Sequence, residues 1–361
     1  MAGGKSPMNE FGRGSMMVLC VIALAFLVIA SVPGAVSGTD LKAYLKYEDG
    51  NDGVHPLKTE LYYEWWYCDF RFDNGWSAAV VYYYSDMTKK PRAPTVEMSI
   101  YDPGGKRYFE KTDVKTDEAA ASEEKCDVRI GGHRFWQEGN TYRLIVESSK
   151  VGADLTLQRE TPAMFIPAEV NNPDSAASDK HFWCVSIPRG KASGKLVVEG
   201  KEISVQGVCY HDHNWGTGQP NLTCGGWVWG HFFDDTYSGF YALVYPVSSQ
   251  PFTGFIYLAK HEELILLSDA VQVMTVEERF DEPTGLTIPI RFVVTGKEGS
   301  CEFSGAMDVQ NVVEKDHQQF PDFKTHNWRF IGNYEGAITL DGATDNVKGQ
   351  GFHERYLLRL K

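Results

Sequence analysis

No dense cluster of lysine and arginine occurs in this chain, and its charge balance is acidic, with a formal net charge of -13. Short groups such as Lys89, Lys90 and Arg92 do not make the positive surface that a phosphate backbone demands, which counts against nucleic acid as a partner. GxGxxG and P-loop patterns are both missing, so no nucleotide partner or dinucleotide cofactor is expected. The GxSxG elbow of a serine hydrolase is missing as well. None of the 7 cysteines has the CxxC spacing of a structural zinc site. No long amphipathic helical pattern and no exact internal repeat is visible, which excludes helical bundles and solenoids.

What remains is a chain of 361 residues with 13% aromatics and 35 glycines, enough for two domains with sizeable cores. One apolar run stands apart, from Met16 to Ala30, with Lys5 and Arg13 before it and uncharged residues continuing to Thr39. It suits a signal peptide, and with its flank to Val36 it is about long enough to span a bilayer. Residues 1–39 are therefore expected to be a signal peptide or an N-terminal membrane anchor, forming one hydrophobic helix. The charge asymmetry places the body outside the cytoplasm, secreted or anchored to the membrane by this segment. Six cysteines lie beyond the run and permit up to three disulfides; buried free thiols are the alternative.

Beyond residue 40 short strands dominate. Residues 60–71 and 76–85 flank Asp73-Asn74-Gly75, a hairpin signal, and carry Tyr62, Trp65, Tyr67, Val80, Tyr82 and Tyr84. Further strand patterns continue to the C-terminus, broken by an irregular, proline-bearing stretch over 161–180. The expected class is all-β, with antiparallel barrels or sandwiches. The domain boundary is placed near residue 235, giving 40–235 and 236–361.

Two stretches concentrate polar and aromatic side chains: Glu64-Trp65-Trp66-Tyr67-Cys68-Asp69 and Tyr210-His211-Asp212-His213-Asn214-Trp215-Gly216. Strand alternation puts Glu64, Trp66 and Cys68 on one side and Trp65, Tyr67 and Asp69 on the other. It likewise sets His211 and His213 opposite Asp212. A carboxyl group and an imidazole can pass protons, and aromatic faces can wall an apolar ligand or stabilise a cation. The candidate catalytic residues are Asp212, Glu64, His211, His213 and Tyr210. The candidate ligand-binding residues are Trp66, Tyr67, Trp215, Trp227 and Trp229. His211, His213 and His231 with Asp212 or Asp234 could ligate a metal, but no established zinc motif is present and no metal is assigned. The same buried polar groups could equally fix architecture without catalysing anything.

These two motifs, with Gly349-Gln350-Gly351-Phe352-His353-Glu354 near the end, resemble a tandem lipocalin-like family. That family contains AttH-like proteins and bacterial carotenoid 1,2-hydratases, also called hydroxyneurosporene synthases. Diels–Alderase-like cyclases are similar at greater distance. The resemblance covers roughly residues 55–361. It implies two lipocalin-like (calycin) antiparallel β-barrels in tandem enclosing an apolar pocket. It further implies an isoprenoid-, lipid- or polyketide-like small molecule as partner, with no cofactor. Cofactor-independent acid/base chemistry by a hydratase, isomerase or cyclase is one expectation. A non-catalytic lipid or isoprenoid carrier and a structural envelope protein are the others.

Overall fold

Residues that alternate between apolar and polar can bury one face of a strand and leave the other to water or to a second layer. The period holds along most of this chain, and strands follow it. The computed structural model describes residues 41, 46–86, 93–168, 180–218, 224–246 and 253–360. All of them lie in the unit Gly34–Lys361.

The first sheet comprises β1 (Tyr63–Phe72), β2 (Ser77–Ser85), β3 (Thr95–Tyr101), β4 (Arg107–Asp113), β5 (Ala119–Ala121), β6 (Asp127–Ile130), β7 (His133–Glu138), β8 (Thr141–Val146), β9 (Val151–Arg159), β10 (Met164–Ile166), β11 (His181–Val198) and β12 (Lys201–Gly216). Their order is β4-β3-β2-β1-β12-β11-β9-β8-β7-β6-β5, with β10 added on β11. The second sheet comprises β13 (Cys224–Phe233), β14 (Tyr237–Pro246), β15 (Thr253–Lys260), β16 (Glu263–Ser268), β17 (Val271–Asp281), β18 (Leu286–Glu298), β19 (Cys301–Gln319), β20 (Phe323–Leu340) and β21 (Ala343–Leu360). Its order is β16-β15-β14-β13-β21-β20-β19-β18-β17. The pairings within both sheets are antiparallel.

The expected pair of closed lipocalin barrels is corrected to two curled, open half-barrels. The first path ends at β4 and β5 and the second at β16 and β17, so neither ladder closes on itself. β4 curls toward β9, and β16 toward β18, without joining them. Closure needs strand number, tilt and shear to agree, which alternation alone does not encode. The edges are also blunted against pairing. β4 carries Arg107, Glu110, Lys111 and Asp113, β5 is 3 residues long, and β17 carries Glu277, Glu278 and Arg279.

Expectations tied to the N-terminal run are corrected too. The run over 16–36 lies outside the described residues. Among the described residues no helix is long and apolar enough to cross a membrane. The helical turns at Asp49–Asp52 and Thr116–Glu118 are 3-10 turns of 4 and 3 residues. The described residues therefore give no support to a hydrophobic N-terminal helix, to the membrane as a partner, or to the extracytoplasmic, secreted or membrane-anchored placement.

Three apolar cores follow from the alternation. One fills the first half-barrel, around Trp66, Phe70, Tyr82, Phe135 and Leu155. Another fills the second, around Phe232, Tyr241, Phe292, Trp328 and Tyr334. The third joins the sheets face to face and contains Tyr67, Trp183 and Tyr210 from the first, with Trp229, Phe240 and Phe352 from the second.

Candidate functional site

β1 and β12 pair along their length, Tyr63 opposite Gly216 through Phe72 opposite Gly207. Directly opposed residues share a face. Glu64, Trp66 and Cys68 therefore lie with Trp215, His213 and His211 inside the first half-barrel. Tyr67 and Asp69 lie with Asp212 and Tyr210 on the face turned to the second sheet. The sequence candidates are thus divided: Glu64, His211, His213, Trp66 and Trp215 on one side of the sheet, Asp212, Tyr210 and Tyr67 on the other. Trp227 and Trp229 reach that second group from β13.

Inside the half-barrel, the turn at Asp49–Asp52 and the following segment to His55 are tied over the polar face of the β1–β12 pair. His211 sets Nδ1 2.8 Å from the Tyr67 carbonyl and Nε2 3.1 Å from Asp52 Oδ2. Tyr142 donates to the same Asp52 carboxylate at 3.1 Å. The carbonyl only accepts, so Nδ1 carries a proton. Burial alone would depress the His211 pKa; the Asp52 carboxylate and its hydrogen bond outweigh burial and raise it. That direction favours the imidazolium form of His211 beside Asp52.

His213 has the same geometry and the opposite solution. Its Nδ1 is 3.2 Å from the Asn51 carbonyl and its Nε2 is 2.8 Å from Glu64 Oε1. Burial drives the His213 pKa well down and the Glu64 pKa well up. The pair is therefore neutral, with the Glu64 carboxyl donating to Nε2. His55 donates its backbone N–H to Glu64 at 2.9 Å, Tyr62 its hydroxyl, and the His55 ring stacks on Trp215 at 3.8 Å. Two groups of donor atoms here could hold a cation: His55, Glu64 and His213, and separately Asp52, Cys126 and His211, each within 4.8 Å of one another. The set of His211, His213 and His231 with Asp212 is not assembled, because His231 and Asp212 occupy the other face.

Between the sheets the focus is Asp212, 6% exposed. Its Oδ2 accepts from Trp183 Nε1 at 2.9 Å and from the Tyr210 hydroxyl at 2.9 Å, and its Oδ1 accepts from Asn214 Nδ2 at 2.9 Å. Burial pushes its pKa up to about 7, against the pull of the Trp183 and Tyr210 hydrogen bonds. Oδ1, with the single donor, is the oxygen that keeps room for a proton.

A second polar group lies beside it. The Tyr210 ring stacks on His231 at 5.0 Å. His231 donates from Nε2 to Asp69 at 2.8 Å and accepts at Nδ1 from Arg71 at 3.0 Å. This is a neutral imidazole, in keeping with the depression of its pKa by burial. Arg329 bridges Glu354 at 2.8 Å and Glu314 at 3.0 Å, and its guanidinium lies over the Tyr67 ring at 5.6 Å. Trp227 donates to Glu354 at 2.7 Å. Among the described residues, buried donors on this face that form no hydrogen bond include the Tyr67 hydroxyl, Trp229 Nε1 and Arg71 NH1. A cavity of about 20 Å³ adjoins Asp69, Arg71, Tyr101, Arg329 and Phe352, room for about one water.

Trp183, Asn214, Asp69, Arg71 and Arg329 were not among the residues singled out as candidates, and His231 was considered only as a metal ligand. Trp183 sits 29 positions before Asp212 and reaches it only because β11 pairs with β12. The available signal was an aromatic residue on the strand preceding the polar motif, read at the same alternation. His231 and Asp69 are 162 positions apart and carry no such signal.

A family model described as AttH-like matches residues 55–355. A search of curated proteins by sequence returns no match. Among solved structures, a Nitrosomonas europaea protein described as an AttH candidate is 16% identical, with TM-score 0.62, over 90% of this chain and 97% of that one. CghA is 13% identical, with TM-score 0.61, over 83% of this chain and 89% of that one. Kievitone hydratase from Nectria haematococca is 15% identical, with TM-score 0.53, over 81% of this chain and 88% of that one. At these identities the likeness shows a shared fold.

Proposed function

The chain belongs to the AttH-like family, and from that premise we propose that it binds a largely apolar small molecule between its two sheets and transforms it by acid–base chemistry, with Asp212 as the proton donor. The observation that carries this reading is the Asp212 carboxyl itself. It is held by three donors in an aromatic wall and pushed to a pKa of about 7, so near neutral pH both protonation states are populated. A buried carboxyl tuned in this way matches what protonation of an alkene carbon or a carbonyl oxygen requires. Tyr210, donating to Oδ2, stabilises the carboxylate once the proton has left.

Relatives with this fold support an apolar small molecule as the substrate class. Kievitone hydratase is named for hydrating kievitone, and one CghA structure contains Sch210972. A hydratase, isomerase or cyclase acting on an isoprenoid- or polyketide-like compound fits this chain. The unpaired donors of Tyr67, Trp229 and Arg71 favour a compound bearing oxygen acceptors over a bare hydrocarbon. The carotenoid and Diels–Alderase readings rest on the motif resemblance alone.

Native mass spectrometry of the full chain purified from its own organism, followed by organic extraction, identifies the compound to assay. Asp212→Asn is then expected to lower turnover by about 10²- to 10⁴-fold while retaining binding. Turnover unchanged in Asp212→Asn overturns the assignment of the acid. Reversible binding of an extracted compound that wild-type protein never alters points to a carrier.

A further inference from the structure

The second half-barrel contains a cavity of about 220 Å³, separate from the space between the sheets. Val228, Val273, Pro289, Phe292 and Leu357 form its walls. β21 alternates like any strand. Phe352 joins the core between the sheets and Glu354 meets Trp227 and Arg329 on that side, so His353, Arg355 and Leu357 face inward. Strand alternation thus delivers one cation and one imidazole into a chamber whose walls are largely apolar and also include Tyr245 and Thr275.

Arg355 is half-buried, and its NH1 reaches the Thr287 carbonyl at 3.4 Å. Among the described residues no carboxylate lies within 4.0 Å of its guanidinium; Glu278, on β17, acts on it only at longer range. Arg329, the buried arginine on the opposite face, shows the contrast, with Glu314 at 3.0 Å and Glu354 at 2.8 Å. A guanidinium partly removed from water and lacking a counter-ion is a costly arrangement that an incoming anion relieves. At the floor of the chamber, His353 is 1% exposed and shares a hydrogen bond of 2.9 Å with the Tyr241 hydroxyl, which meets the Tyr334 hydroxyl at 2.6 Å. Burial lowers the His353 pKa to about 3, so the imidazole is neutral and does not compete with Arg355 for an anion.

Size limits the ligand. A cavity of about 150 Å³ takes benzene, so by proportion this one takes roughly nine non-hydrogen atoms. We propose that the second half-barrel is a binding site for a small amphipathic carboxylate, either a monoaromatic acid or a short fatty acid. Its carboxylate pairs with Arg355, and its tail lies against Phe292 and Leu357 toward His353. The site stands apart from Asp212 and does not depend on the chemistry assigned there.

Isothermal titration of the full chain with benzoate and with heptanoate tests this, using benzyl alcohol and heptanol as uncharged matches. The expected result is saturable one-to-one binding of at least one acid, with Kd on the order of 10–100 μM for a ligand of this size. The matching alcohol is expected to bind at least about tenfold more weakly. Arg355→Gln is expected to weaken the acid by about tenfold or more. Val273→Trp, made at the partly exposed rim, fills the chamber and should abolish binding with the melting temperature retained. No saturable binding of either acid, equal binding of acid and alcohol, or wild-type affinity in Arg355→Gln or in folded Val273→Trp overturns the proposal.

Discussion

Replacing Asp52 by asparagine probes the buried charge in the first half-barrel, because the two side chains have nearly the same shape. In the native protein, Asp52 accepts from His211 Nε2 at 3.1 Å and from the Tyr142 hydroxyl at 3.1 Å, and both Asp52 and His211 are 0% exposed. The amide keeps one acceptor but removes the charge that holds His211 protonated. Neutral His211 then has one ring N–H where the native arrangement uses two. Losing a buried charge-assisted hydrogen bond and its partner's charge costs about 3 kcal/mol. With a urea slope of about 3 kcal/mol/M for a chain of this size, the unfolding midpoint falls by about 1 M. Trp66 is a suitable fluorescent reporter, since its indole donates to the Asp52 carbonyl at 3.0 Å and stacks on His213 at 4.2 Å.

The pH dependence gives the sharper test. The folded pKa of His211 is raised above its unfolded value. A raised histidine contributes stability that is fully present below the unfolded value, about 6.5, and is lost as pH rises through the folded value. The wild-type advantage over Asp52→Asn is therefore greatest below about pH 6.5 and shrinks as pH rises through the folded value. Titrating groups that Asp52 does not influence are common to both proteins and cancel in the difference. A gap that stays constant over this range, or widens with pH, refutes the assignment of an imidazolium–carboxylate pair.

Other consequences are open to simpler measurements. Once a substrate is in hand, the proposal that Asp212 is the proton donor predicts turnover that falls as pH rises through about 7; a rate that climbs through that range contradicts it. Gly351→Ala is expected to destabilise the second half-barrel by about 1–3 kcal/mol or more, because a Cβ there overlaps the ring of Tyr334, itself 1% exposed. A melting temperature equal to wild type argues against that contact. Cys68, Cys126, Cys184 and Cys209 are buried free thiols whose pKa values burial drives well up. Alkylation and peptide mapping should find these four unmodified in the native protein and labelled after unfolding; a disulfide among them contradicts the structure.

The sequence was informative wherever the controlling interaction is local. Asp73-Asn74-Gly75 sets a turn whose Gly75 has φ 84, and β1 and β2 follow on either side. Alternation in the Glu64 and Tyr210 motifs sorted their side chains onto two faces, as the β1–β12 register shows. What escaped depends on distant chain. Asp52, at the centre of the half-barrel network, sits in a short polar stretch with no periodic pattern and acquires its role through Tyr142 and His211, 90 and 159 positions away. β19 runs to Gln319 and β20 starts at Phe323, although between Val309 and Trp328 the sequence carries no clear strand alternation. The intervening residues are mostly polar because that end of the hairpin is largely exposed, so alternation has no core to report.

The division of the polar motif between two faces of one strand explains why it is so dense. An acid tuned by burial works only if its position is fixed relative to the groups that tune it. Asp212 lies between His211 and His213 on β12, and each histidine is bound through both ring nitrogens on the far face. Those bonds tie β12 to the Tyr67 carbonyl on β1 and to Asn51 and Asp52 in the covering turn. Rotation of β12 that would draw Asp212 away from Trp183 and Tyr210 must first break hydrogen bonds buried in the half-barrel. The imidazolium and the neutral imidazole thus act on the acid through the backbone they share with it. Loss of the Asp52 carboxylate should therefore loosen the Asp212–Trp183 contact as well as lower stability, and indole Nε1–H exchange at Trp183 reads that coupling directly. Unchanged exchange in folded Asp52→Asn would show that the two faces are mechanically independent.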